Sequence, residues 1–245
     1  MSSDRRIIAL VPLKANSERV KAKNFRHFAG KPLFRWILDT LLALPWLDEV
    51  VINTDARHIL EQHGLRDGGR IRIRDRRPEI CGDAVSMNLV LADDVAAVPA
   101  DVYLMTHTTN PLLSCATIER ALETFVTAAA ADGADSLFTV NRFQTRFYAG
   151  DGRAINHDPT RLVRTQDLEP WFEENSNLYI FTDRSFVATG ARIGERPVLF
   201  ETPRAESADI DDQDGWDLAE AIERGRRVRT VPSGAAPASA RVSEP

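Results

Sequence analysis

The chain has 245 residues, 43% hydrophobic and 27% charged, ordinary values for a globular protein that buries one sizeable α/β core or two small ones. A net charge of −5 argues against a general nucleic-acid binder, no apolar run reaches membrane-spanning length, and MSSDRR is not followed by a signal-peptide core. Two cysteines, Cys81 and Cys115, lack metal-ligand spacing, which excludes a disulfide scaffold and points to a reducing, cytoplasmic setting.

In chain order, Ile7–Pro12 is a short apolar run that predicts a buried strand. Lys14–Lys31 follows as a loop with six Lys or Arg and one acid, Glu18. Pro32 and LFRWILDTLLAL then predict a helix with proline in its first turn. Strands are expected at Glu49–Thr54, Arg70–Asp75, Val102–Thr106 and Ser136–Val140, with helices at Ala56–His63, Ser86–Ala97 and from Ser114 or Ala116 to Ala131. This β–α alternation implies a mostly parallel, twisted sheet with helices on both faces. From Asn141 to Asn177 the pattern breaks into turn formers, arginines and aromatics; so long a connection is normally functional or interfacial. Leu178–Phe181 and Pro197–Thr202 restore strands. A strand end, an acidic loop and a final helix over Gly215–Arg226, capped by Asp214, follow, and then a tail expected to be disordered.

Charge is split along the chain. Residues 1–35 hold nine bases and two acids, while residues 201–223 hold nine acids and one base. Such a split suits a metal–triphosphate site, and equally two oppositely charged solvated surfaces. A cationic loop between a first strand and a first helix is where an open α/β sheet binds phosphates. No G-x-x-x-x-G-K-[ST] or G-x-G-x-x-G is present, so Lys14 and Lys23 are the residues that could flank a triphosphate; otherwise the lysines coat an exposed loop. Asp209 and Asp211, if extended, share a face and could hold one Mg²⁺; otherwise they are part of an Asp-rich turn. His107 and Thr109 follow the central strand at its carboxyl end, and Arg76 and Arg77 sit in a second basic cluster. Serine-elbow, H-E-x-x-H and cysteine–histidine plans are absent.

Taken in order, these segments resemble the cytidylyltransferases that make CMP-activated sugar acids, the CMP-acylneuraminate and CMP-Kdo synthetase family. The likeness runs from Ile7 to about Ala221. It rests on Val11-Pro12-Leu13-Lys14, Asn16-Ser17, Lys23-Asn24 and Gly30-Lys31-Pro32-Leu33, which parallel the family's I-P-A-R-x-x-S-K-x-x-x-x-K-N and G-K-P-L. His107–Leu112 parallels Q-P-T-S-P-L, Asn175–Ile180 parallels N-G-x-I-Y-I, and Ala208–Glu220 parallels I-D-I-D-T-x-x-D-x-x-L-A-E.

The resemblance implies a Rossmann-like fold with a protruding dimerisation arm. One nucleotidyltransferase domain would span residues 1–231, with 141–177 as the dimerisation and acceptor arm and 232–245 as tail. It further implies that Leu13, Ala15, Asn16, Ser17, Asn24, Arg76 and Ser86 bind CTP, and that Lys14, Lys23 and Asp211 are catalytic. Asp209 and Asp211 would hold Mg²⁺, and His107, Thr109, Gln144, Arg146 and Arg164 would bind the acceptor in a homodimer without nucleic-acid or membrane partners. The family's loop arginine is Lys14 here, its S-K is Ser17-Glu18 with Arg19 and Lys21 nearby, its glutamine is His107, and an arginine that helps hold the sugar acid in sialic-acid enzymes is matched by Glu173. The expected reaction is transfer of CMP from CTP to a nonulosonic or Kdo-like sugar acid. A small phosphonate such as phosphonoformate is the alternative acceptor, and an inactive nucleotide-binding scaffold or a uridylyl- or guanylyltransferase the alternative class.

Overall fold

The computed structural model describes residues 5–17 and 20–230; Glu18, Arg19 and the expected tail lie outside the described residues. β1 (Ile7–Leu13) is buried along its whole length, as a strand covered on both faces must be. The cationic loop behind it makes one 3₁₀ turn (Lys23–Phe25) and a hairpin of β2 (His27–Phe28) with β3 (Lys31–Pro32). Ala29 and Gly30 at the tip both take positive φ, 45° and 102°, which a tight two-residue hairpin demands. α1 (Leu33–Leu42) begins just after Pro32, which occupies the N-cap rather than the first turn.

β4 (Glu49–Thr54), α2 (Arg57–Gln62), β5 (Ile71–Asp75), α3 (Met87–Ala97), β6 (Val102–Thr106) and α4 (Cys115–Asp132) continue the alternation. Ser114 caps α4 by accepting from Thr117 N, and Gly133 closes it at φ 66°. β7 (Ser136–Phe143), β8 (Trp171–Thr182), α5 (Asp183–Thr189), β9 (Pro197–Glu201) and α6 (Gln213–Thr230) complete the order. None of the described helices is long and apolar enough to cross a membrane.

The main sheet has seven strands in the order β5-β4-β1-β6-β8-β7-β9. β1 is parallel to β4 and β6, β4 to β5, and β7 to β9, whereas β8 runs against both β6 and β7. The sheet is therefore mixed and mostly parallel. Alternate residues of β1 feed opposite layers: Ile7, Ala9, Val11 and Leu13 join a core with residues of α1 and α4, and Ile8 and Leu10 join Leu91 and Val95 of α3 and Phe186 of α5. A third cluster packs α6 onto the loops through Trp216, Phe28, Leu33, Leu112 and Ile210.

Three local expectations need correction. β7 and β8 extend well into the segment expected to be irregular, pairing through Phe143 and Trp171. The short α5 was not anticipated; Thr182 and Ser185 form a reciprocal capping box that starts it. The last helix begins at Gln213, and Asp212 rather than Asp214 caps it, accepting from Gly215 N at 2.8 Å.

Candidate active site

β1 lies between β4 and β6, so successive connections leave it in opposite directions, and ligands in such sheets bind in the crevice beyond the carboxyl ends. A cavity of about 230 Å³ opens there. It is lined by Lys14, Ser17, Lys23 and Asn24 behind β1, Arg76 behind β5, Asp83 and Met87 before and at the start of α3, and His107, Thr108 and Thr109 behind β6. Residues that the sequence separates widely thus share one wall.

Several of them are held by definite partners. Asn24 is buried and spans two segments, donating to Lys14 O at 2.8 Å and accepting from Thr108 Oγ1 at 2.6 Å. The Lys14 ammonium pairs with the Asp83 carboxylate. Lys23 is buried; its Nζ donates to Ile210 O at 2.5 Å and stands 3.6 Å from the Asp211 carboxylate. Ile210 N donates in turn to Thr109 O at 2.9 Å, so the D-x-D segment is stitched to both the first loop and the β6 loop. That segment is irregular chain that bends at Asp211, not a strand end. Gly215 permits its course: a Cβ there would stand 2.8 Å from Asp209 O.

Arg76 is fixed by a buried relay. Its Nε donates to Asn53 Oδ1 at 2.8 Å and its Nη2 to Asn53 O at 2.8 Å; Asn53 Nδ2 donates to Asp94 Oδ1 at 2.8 Å. Asn53 and Asp94 are fully buried, and Arg74 pairs with Asp94. Burial drives the Asp94 carboxyl up to about 6, although Asn53 and Arg74 favour its charged form.

His107 is partly buried. Burial first, then the positive charges of Arg192 and Lys23, lower its pKa to about 4, with Asp211 opposing. At neutral pH the ring is therefore uncharged and a weak base. Asp209 accepts from the Thr109 hydroxyl, yet burial, followed at a distance by the charge of Asp211, raises its pKa. Its Oδ1 is buried with no hydrogen-bond partner among the described residues.

The other anticipated residues fall as follows. Leu13 is buried at the end of β1 and presents its carbonyl to Arg76 Nη2 at 3.5 Å. Ala15 N donates to Asp55 Oδ1 at 2.7 Å, and Asn16 is exposed on the loop. Ser86 caps α3 and lines a neighbouring cavity. Gln144, Arg146 and Arg164 are not brought to either cavity within this chain. Gln144 donates to Gln166 O and Leu168 O, Arg146 to Val163 O, and Arg164 pairs with Asp167 at 2.7 Å. Asn53, Asp83, Asp94 and Arg192 were missed. A polar residue ending the apolar run EVVINT, and acids inside the otherwise apolar helix NLVLADDVAA, were the available signals; Arg192 carried none.

Known proteins bear on this arrangement. Solved structures show the same fold: a CMP:2-keto-3-deoxy-manno-octonic acid synthetase complexed with CTP superposes with TM-score 0.61 at 15% identity, over 90% of this chain and 99% of that one. The 4-diphosphocytidyl-2C-methyl-D-erythritol synthase of Anaerococcus prevotii superposes with TM-score 0.63 at 13% identity, over 90% and 96%. In sequence, the pseudaminic acid cytidylyltransferase of Campylobacter jejuni is 24% identical over 83% of this chain and 90% of its own length. The CMP-N,N'-diacetyllegionaminic acid synthase of Legionella pneumophila is 26% identical over 89% and 96%. The family model described as cytidylyltransferase matches residues 8–210, from β1 into the D-x-D coil, and the chain belongs to that family.

Proposed function

We propose that this cytidylyltransferase transfers CMP from CTP to a sugar acid of the nonulosonic or octulosonic type, releasing pyrophosphate. One observation carries the reading: Lys14, Lys23, Asn24, Arg76 and His107–Thr109, distant in sequence, line a single switch-point cavity, and the Asp209–Asp211 coil is hydrogen-bonded to two of them, Lys23 and Thr109. The relatives named for pseudaminic and legionaminic acids support the acceptor class.

An acceptor hydroxyl oxygen forms a bond to the α-phosphorus of CTP, the bond from that phosphorus to the β-phosphate bridging oxygen breaks, and pyrophosphate departs. Lys14 and Lys23 place positive charge where the phosphates gather charge in the transition state. The acceptor proton must go to a base. His107, held neutral with a conjugate acid of pKa about 4, serves better as a hydrogen-bonding partner, which leaves the Asp211 carboxylate as the candidate.

The residues present fit a divalent cation. Asp209 offers a buried carboxylate oxygen with no partner among the described residues, and burial first, then the Asp211 charge, raises its pKa, with the Lys23 ammonium 3.6 Å from Asp211 as the nearby positive charge. No group of three or more metal-ligating side chains occurs among the described residues; Mg²⁺ would have to be held by the two carboxylates together with substrate phosphates. Bound there, Mg²⁺ would neutralise phosphate charge and acidify a nearby hydroxyl.

The homodimer reading is supported by the arm's surface, where Leu162 is 82% exposed and Tyr148, Ile155, Trp171 and Phe172 are also exposed. The phosphonate alternative called on the arm's arginines for charge, and Arg146 and Arg164 are engaged within the arm. Pyrophosphate release with CTP, Mg²⁺ and a panel of sugar acids and phosphonates tests the reading. Turnover is expected with a sugar acid and CTP; turnover with phosphonoformate alone, with UTP or GTP in place of CTP, or CTP binding without turnover of any acid, overturns it.

A further inference from the structure

The loop after α5 brings an arginine to the edge of the pocket. The Arg192 guanidinium lies over the Tyr179 ring, 3.9 Å from its centroid, and its Nη1 is 3.9 Å from Met105 Sδ. Tyr179 and Met105 face each other across β8 and β6, and Met105 precedes His107 by two residues. The positive charge of Arg192 accordingly reaches the imidazole. Around the guanidinium opens a second cavity of about 350 Å³, lined by Ser86, Met87, Asn88, Glu174 and Ile193 as well as Arg192. Met87 lines the nucleotide cavity too, so the two adjoin. The space equals roughly a dozen water molecules at ~30 Å³ each, more than a small phosphonate fills.

We propose that this second cavity is the acceptor subsite, with Arg192 binding the acceptor's carboxylate and Glu174 and Asn88 hydrogen-bonding its hydroxyls. The inference rests on the sugar-acid reading above and adds the residues that would enforce it. Arg192 is stacked and only 20% exposed in its side chain, so little freedom remains to be lost on binding. Its contact with Glu174, at 3.3 Å, is long for a charge-assisted hydrogen bond, and a guanidinium keeps further donors for a carboxylate.

Glu174 is aimed by its surroundings. Ser176 adopts φ 55°, the strand register shifts between Phe138 and Val140, and the Tyr179 hydroxyl donates to the Glu174 carboxylate. That carboxylate, 40% exposed in its side chain, can accept from alcohols, which a bare phosphonate does not possess. Arg192 would thus supply from the α5 loop the cation that position 173, a glutamate, does not.

The test compares full-length wild type with Arg192→Gln, Arg192→Lys and Glu174→Gln, assayed with CTP and Mg²⁺. Acceptors are pseudaminate, N,N'-diacetyllegionaminate, N-acylneuraminate, 3-deoxy-manno-octulosonate and phosphonoformate. For the sugar acid that wild type uses, Arg192→Gln is expected to raise the acceptor KM by about tenfold or more, as loss of a charge-assisted bond should. KM for CTP should stay within twofold, Arg192→Lys should recover part of the loss, and Glu174→Gln should raise the acceptor KM alone. An unchanged acceptor KM in Arg192→Gln overturns the inference while leaving the sugar-acid reading in place; so does an equal rise in both KM values. Turnover of phosphonoformate alone by wild type sinks that reading and, with it, the role given to Glu174. If no acid is turned over, calorimetry of the four sugar acids against CTP-loaded wild type decides, and absence of binding overturns the subsite. Should Arg192→Gln fail to fold, Arg192→Lys and Glu174→Gln carry the same comparison.

Discussion

The switch-point cavity and the arm are built on opposite plans. Around the cavity the polar contacts are long-range: Lys23 reaches Ile210 across 187 positions, Thr108 reaches Asn24 across 84, and Lys14 reaches Asp83 across 69. In the arm they are local. Gln144 and Arg146 bond carbonyls no more than 24 residues away, Phe147 N donates to Asn156, and the Phe147 ring stacks on Trp171 at 5.4 Å. A long-range network is rigid only when the whole sheet is assembled, whereas a self-braced loop keeps its shape independently and turns its apolar residues outward. Nucleotide positioning and whatever the arm contacts should therefore be separable by mutation.

The largest separation should come from Asp209→Asn. Removing the charge from a carboxylate whose second oxygen is buried with no hydrogen-bond partner among the described residues should lower Mg²⁺-dependent kcat by about 10²–10³-fold, the range seen when a transition-state charge partner is lost. Initial rates titrated with MgCl₂ would show it, and a rate curve overlaying that of wild type would remove Asp209 from the cation site. An arm substitution should do the reverse. Leu162→Asp, at a site 82% exposed, should leave the melting temperature and CTP affinity near wild type while weakening self-association by about tenfold, an effect read by sedimentation equilibrium. Equal association constants would show that this apolar surface is not where two copies meet.

The same contrast explains what the sequence disclosed. β4 and β6 are buried apolar runs bounded by polar loops, and both lie where the pattern predicts. The first loop and the D-x-D pair were conspicuous because charge clusters in them, and the structure joins them through Ile210. The first half of β8, WFEENSN, hid its strand character: it is exposed at Trp171–Glu174 and then bulges at Ser176, so no two-residue alternation marks it. α5 is too short for helical periodicity to register, and only its capping box distinguishes it. Arg192 stands among small residues in ATGARIGER, where nothing local says that it will stack on Tyr179. Residues whose role follows from chain reversal and register are invisible to spacing.

The smallest expected effect is the net pH response of wild type, in which two titrating groups at this end of the sheet, partly buried His107 and buried Asp94, oppose each other. The folded pKa of His107, about 4, lies below its ordinary 6.5, so its contribution to stability is complete above pH 6.5 and is lost as pH falls toward 4. The folded pKa of Asp94, about 6, lies above its ordinary 3.8, so its contribution is complete below pH 3.8 and is lost as pH rises through 6. Each is on the order of 3 kcal/mol, and between pH 4 and 6 the two oppose each other. Wild type should thus change less in that window than either His107→Gln or Asp94→Asn relative to a common carboxylate background. Urea midpoints at half-unit steps from pH 4 to 7 read the differences. Wild type minus His107→Gln should fall on acidification, and wild type minus Asp94→Asn should rise. Parallel curves would mean that neither group is desolvated as its position implies, and that the relay from Asp94 through Asn53 to Arg76 is more open to water than its burial suggests.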